Sequence, residues 1–182
     1  FYQLHDADSL IKYAENMTNL KVADDGVSLT LVDNTLIGEY ILKPQNFTEP
    51  FNRGLPSWNG KAPENENSSL KIYIRFEIDG LWQSWVTVGY WDNNIWSSYG
   101  STAFSAGEVD VDYVVLTKYC SKFQYKVLFE RKSYSAKSPM LRQLAFSTSD
   151  SQTTVSIDDI VADCPDQIYI NTTHYYQYGL DP

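Results

Sequence analysis

Residues 70–78 alternate without a break: Leu70, Ile72, Ile74, Phe76 and Ile78 against Lys71, Tyr73, Arg75 and Glu77. A period of two puts the first set on one face of an extended strand and the second on the other, so one face is buried and the other is wet. Asp79-Gly80 follows at once, a pair suited to the left-handed backbone of a two-residue hairpin. Residues 81–91 (LWQSWVTVGYW) then supply the return strand. A chain organised around such a hairpin has to bury one face against a second layer.

The rest of the chain repeats the theme. Strands are expected at 27–32 and 35–42 around the turn pair Asp33-Asn34, and at 108–117. Another is expected at 122–130, with Phe123, Tyr125, Val127 and Phe129 on one face, and two more at 139–148 and 153–161. Residues 43–69 hold four prolines and several asparagines and read as a long loop, as do the Asn-, Ser- and Gly-rich residues 92–107. Before Gly26, Leu10, Ile11, Ala14 and Met17 allow one short helix capped by Asp8 or Ser9. Strands without crossover helices pair antiparallel. The expected fold is therefore an all-β, antiparallel β-sandwich, jelly-roll-like, with a short N-terminal helix. Its parts would be an arm over 1–25, the sandwich over 26–164 and an extended Tyr-rich tail over 165–182.

A formal net charge of −9 disfavours a phosphate-backbone partner and docking on anionic lipid. No apolar run approaches the roughly 20 residues of a membrane span. The chain starts at Phe1, which reads as a removed signal peptide or an excised piece. Four Asn-x-Ser/Thr sequons begin at Asn16, Asn46, Asn67 and Asn171, in expected loops or near a terminus, where N-linked glycans fit. Cys120 and Cys164 are read as one disulfide, with two unpaired buried thiols as the alternative. The bridge would close a loop of about 45 residues, worth at most about 4 kcal/mol. These features point to an extracellular or cell-surface protein.

Glu108-Val109-Asp110-Val111-Asp112 would put three acids on one strand face, successive ones about 6.7 Å apart. The pattern looks like the Glu-x-Asp-x-Glu strand of laminarinase-type glycoside hydrolases, which need carboxyls about 5–5.5 Å apart for retention. The last position here is Asp112, and a solvated acidic face is the plainer reading. Aromatic residues gather at Trp58, Trp82, Trp85, Tyr90, Trp91, Trp96 and Tyr99. Whichever of Trp82 and Trp85 points inward is expected in the core. Trp91, Asn93, Trp96 and Tyr99, at a loop tip, could stack and hydrogen-bond a sugar. Asp92, Asn93 and Asn94, or Asp158 and Asp159, fall short of a calcium loop. No Gly-x-Ser-x-Gly and no phosphate-binding glycine loop occurs. No catalytic residue, metal or cofactor is expected.

Several segments in order carry a resemblance: Pro50-Phe51-Asn52, Ser57-Trp58-Asn59, Gly80-Leu81-Trp82-Gln83-Ser84-Trp85 with Gly89 and Trp91, Gly107–Asp112, Phe123–Val127 and Ser138–Arg142. Over residues 26–150 the chain resembles the non-catalytic, galactose-binding-like β-sandwich that precedes the peptidase domain in secreted cysteine peptidases of the bacteriocin-processing type. The resemblance implies an accessory role without peptidase activity, and a structural reading of Glu108–Asp112. The cysteine pair, the sequons and the tail depart from that family.

The leading expectation is a secreted, N-glycosylated, non-enzymatic structural subunit. It would self-assemble into a homo-oligomer, surface filament or layer by strand exchange through its ends, with Ile168, Ile170, Tyr175 and Tyr176 as the assembly strand. The alternative is a carbohydrate-binding accessory module, and the third reading is a laminarinase-type hydrolase.

Overall fold

The computed structural model describes residues 1–63, 67–92, 95–97, 101–111 and 113–152, with 95–97 described by backbone alone. Phe1–Ser151 form one compact unit. Its elements are β1 (Tyr2–Leu4), α1 (Ala7–Lys12), β2 (Ala14–Thr18), β3 (Leu20–Val22), β4 (Leu29–Leu31), β5 (Ile37–Leu42), β6 (Gln45–Lys61) and β7 (Ser68–Ile78). They continue as β8 (Leu81–Trp82), β9 (Val86–Asp92), β10 (Ile95–Ser97), β11 (Ser101–Phe104), β12 (Gly107–Asp110), β13 (Tyr113–Arg131) and β14 (Met140–Ser149). Every pairing among them is antiparallel.

Two layers share their long strands. One runs β10-β9-β7-β13 and continues through β5 to β2. The other runs from the start of β13 through β6 to β14, which pairs with β1 and β4. β13 leaves one layer and enters the other along its length, and β6 does the same from β13 to β14. The hydrogen-bonded sheet is thereby continuous and nearly closed, barrel-like around its core. The fold is all-β and antiparallel, as the alternation demands.

The inner faces meet in an aromatic centre. Phe123 and Phe146 stand 4.7 Å apart, Phe51 and Phe146 5.5 Å, and Phe76 and Phe146 6.0 Å between ring centroids. Such pairs add about 0.5–1.5 kcal/mol each beyond their burial. The buried Tyr125 hydroxyl donates to the Ala145 carbonyl at 2.8 Å, and Tyr40 donates to Leu10 O at 3.0 Å. Both phenols therefore keep a partner on leaving water.

Several expectations are corrected. The prolines of 43–69 do not make a loop: residues 45–61 form β6. Gly54 lies under the Phe146 ring, where a Cβ would come within 2.3 Å of it, so the glycines there serve packing rather than a turn. The helix is capped by Asp6, not by Asp8 or Ser9. The Asp6 side chain accepts from Ser9 N at 2.9 Å while Ser9 Oγ accepts from Asp6 N at 3.1 Å, a reciprocal box. The return strand 81–91 breaks at Gln83–Trp85 into β8 and β9. Asp79 and Gly80 turn with φ of 51° and 76°, the left-handed pair the hairpin requires.

The expected strand 108–117 is a hairpin instead, because the chain reverses at Val111 with φ of 61°. Residues 1–25, the expected arm, pair with strands of their own domain. β1 pairs with β14, β2 with β5 and β3 with β4, while Ala7 and Leu10 are fully buried.

Candidate functional site

The outward residues of β7 and β13 build a stack of rings and cations. Lys71, Tyr73 and Arg75 alternate on β7, and the antiparallel register sets Lys126 opposite Tyr73 and Gln124 opposite Arg75. The tight turn returns Trp82 beside Glu77. Gln83 N then donates to Phe76 O at 2.9 Å, and the chain leaves the ladder long enough to lay Trp85 over the same face.

Arg75 is held between two indoles, its Cζ 4.6 Å from the Trp82 ring centroid and 4.4 Å from that of Trp85. Lys126 Nζ sits 5.0 Å from the Trp85 ring and 4.5 Å from the Tyr73 ring, and Lys71 Nζ 5.5 Å from Tyr73. Each such contact contributes about 0.5–1 kcal/mol where water reaches it. Neither Trp82 nor Trp85 enters the core, contrary to the expectation for one of them.

Beneath the stack, Arg75 Nε donates to Gln124 Oε1 at 2.7 Å and Nη2 donates to the same oxygen. Gln124 is fully buried, and its Nε2 donates to Leu42 O at 2.7 Å and to the Glu15 carboxylate. The guanidinium is thus tied to a buried side chain that is itself hydrogen-bonded on its other end. Partial burial lowers the Arg75 pKa, and the Glu15 charge opposes that shift.

Ion pairs within 4 Å among the described residues are Lys21–Asp33, Lys118–Asp79 and Lys122–Glu77. Arg75 and Lys126 belong to none of them. Arg75 and Lys126 thus lie among aromatic rings without an ion-paired carboxylate among the described residues, in a chain of net charge −9. The arrangement sets two positive charges among aromatic rings, with Arg75 Nε and Nη2 turned inward to Gln124. It suits a polyhydroxylated ligand that carries an acid group.

The sequons border this face. Asn16, Ile41, Lys126, Tyr73 and Thr87 form one row across β2, β5, β13, β7 and β9. Asn46, Lys122, Glu77 and Trp82 form another across β6, β13, β7 and β8. Asn16 and Asn46 are exposed on strands, not in loops, and Asn67 is exposed in a left-handed conformation with φ of 50°. Asn171 lies outside the described residues.

The other sequence-derived candidates fare differently. Trp91 is half-buried, packs against the core and buries its Nε1 without a hydrogen-bond partner among the described residues. It is no free-standing platform. Trp96 pairs with it across β9 and β10, and Asn93 and Tyr99 lie outside the described residues. Glu108 and Asp110 share the exposed side of β12, which ends at Asp110 before the left-handed Val111; Asp112 lies outside the described residues. Cys120 is buried, and burial pushes its thiol up to about 12; Cys164 lies outside the described residues. So do Ile168, Ile170, Tyr175 and Tyr176. Among the described residues no three His, Cys, Asp or Glu side chains gather as metal ligands.

An antiparallel, nearly closed sheet with an outward ladder defines an all-β, sandwich-like module. Residues 14–149, from β2 to the end of β14, match the family described as the peptidase C39 N-terminal domain, and the chain belongs to that family. The family is the N-terminal part of such proteins, not the catalytic part. No curated protein matches the chain.

Of the ladder, the sequence marks Trp82 and Trp85 as candidates and Lys71, Tyr73 and Arg75 only as a wet strand face. Their signal was present: cation, aromatic and cation at alternate positions of β7, facing Lys126 on β13.

Proposed function

We propose that this chain is a secreted, non-catalytic accessory module that binds carbohydrate along the outer face of β7 and β13, with acid-bearing glycans preferred. The observation that carries the reading is the stack itself. Arg75 and Lys126 stand among Trp82, Trp85 and Tyr73 on a half-buried outer face, and neither is ion-paired among the described residues. Membership of a family that covers the N-terminal part of peptidase C39 proteins supports a role without chemistry of its own.

A filament built by strand exchange loses one of its two motives, since the N-terminal arm pairs with its own β14. The C-terminal segment remains a proposal for self-association, tested by light scattering of the full chain against a version ending after Ser151. The carbohydrate reading is tested by calorimetric titration of the full chain with uronate-containing and neutral oligosaccharides. Binding that weakens with Trp85→Ala and Lys126→Gln supports it; absence of binding to either class overturns it.

A further inference from the structure

At the far end of the same face a groove of about 310 Å³ opens between the start of β7, the end of β9 and the end of β13. Its floor is one row of the sheet: Ile37, Glu130, Ser69 and Asp92, in register across β5, β13, β7 and β9. Asp92 accepts from the Tyr90 hydroxyl at 3.0 Å, and Ser69 Oγ lies 3.5 Å from Glu130 Oε2. Ile37 leaves 54% of its surface exposed on one wall. The sequon asparagine Asn67 is itself part of the lining, and its backbone is pinned where Lys132 N donates to Asn67 O at 3.0 Å.

We propose that this groove is the seat of the first sugars of an N-glycan carried by Asn67. The inference rests on the secreted, glycosylated reading of the chain. In the attachment, Asn67 Nδ2 loses a proton and bonds C1 of the first N-acetylhexosamine of a lipid-diphosphate oligosaccharide. The lipid diphosphate leaves with the electron pair of the broken C1–O bond. The asparagine that lines the groove then places that sugar in it.

The chemistry of the walls matches. The carboxylates of Asp92 and Glu130 accept hydrogen bonds without donating and suit the hydroxyls and the acetamide N–H. Ile37 offers an apolar surface to the acetamide methyl or the C–H face of the ring. Asn16 and Asn46 differ, because neither lines this groove. They are the internal controls.

The test uses the full chain secreted from a glycosylating host. Site occupancy is read by mass spectrometry, followed by the rate at which an amidase releases each glycan from the folded protein. A seated glycan is released at Asn67 about tenfold more slowly than at Asn16 or Asn46, equivalent to about 1.4 kcal/mol. All three rates become equal after denaturation. Ile37→Asp, and separately Asp92→Asn with Glu130→Gln, raise the Asn67 rate toward the controls. An Asn67 left unmodified, or a native rate equal to that at Asn16, overturns the proposal. Glycan binding at the ladder is read separately through Trp85→Ala, so failure there and failure here are distinguishable.

Discussion

Trp85→Ala removes a ring that touches both Arg75 and Lys126. Trp85 lies 4.4 Å from Arg75 Cζ and 5.0 Å from Lys126 Nζ, so the substitution deletes two cation–ring contacts at once. At about 0.5–1 kcal/mol each, the expected loss of stability is about 1–2 kcal/mol. For a domain of this size that lowers Tm by about 2–8 °C. The single variant also loses packing of a half-buried indole, so the decisive measurement is a double-mutant cycle with Lys126→Met, followed by urea unfolding. Lys126→Met keeps most of the apolar stem and removes the charge. The expected coupling is about 0.5–1 kcal/mol, since contacting residues depart from additivity. Additivity within about 0.3 kcal/mol would refute the ladder as an interacting unit and leave Trp85 as mere cover for the sheet.

Three further outcomes follow from the packing and the caps. Gly107→Ala is expected to be the worst of the glycine substitutions, because its Cβ would meet Val115 O at 1.9 Å, a backbone atom that cannot step aside. Gly89→Ala drives a methyl into the Trp58 ring and costs about 1–3 kcal/mol by denaturant unfolding. Acid sensitivity comes from Asp6, held below the usual carboxylate range by the Ser9 N–H and hydroxyl, and from Asp25, held down by the Ser28 hydroxyl and the Val27 N–H. A depressed folded pKa means the unfolded chain binds protons first. The contribution is present above the unfolded carboxylate range, about pH 4, and is lost as pH falls through the folded values. An unfolding series from pH 6 to pH 2 should be flatter for the pair Asp6→Asn with Asp25→Asn, and an unchanged slope would remove these two groups as the cause.

The strands that carry the ladder were legible because each has one wet and one buried face. Leu70–Ile78 and Phe123–Phe129 alternate cleanly, and the structure buries their inner members completely or nearly so. β6 was illegible for the same reason in reverse. Gly54 and Gly60 look like turn residues, yet each is small because Phe146 of β14 and Leu70 of β7, respectively, occupy the space above it. The strand over 108–117 misled because alternation persists through a reversal at Val111, a β-branched residue in a left-handed conformation. The ladder itself needs two facts that no local pattern contains. One is the register that sets Lys126 against Tyr73, and the other is the break at Gln83–Trp85 that turns both indoles outward. The groove beside Asn67 likewise exists only when β5, β7, β9 and β13 are assembled.

The most direct measurement of the account is calorimetric titration of the full chain with an oligosaccharide containing a uronic acid, beside its neutral, carboxyl-reduced counterpart. The account predicts tighter binding of the acid form, with the preference abolished by Lys126→Gln and binding weakened about tenfold or more by Trp85→Ala, equivalent to about 1.4 kcal/mol. Equal affinity for the two sugars, or binding untouched by either substitution, would contradict it.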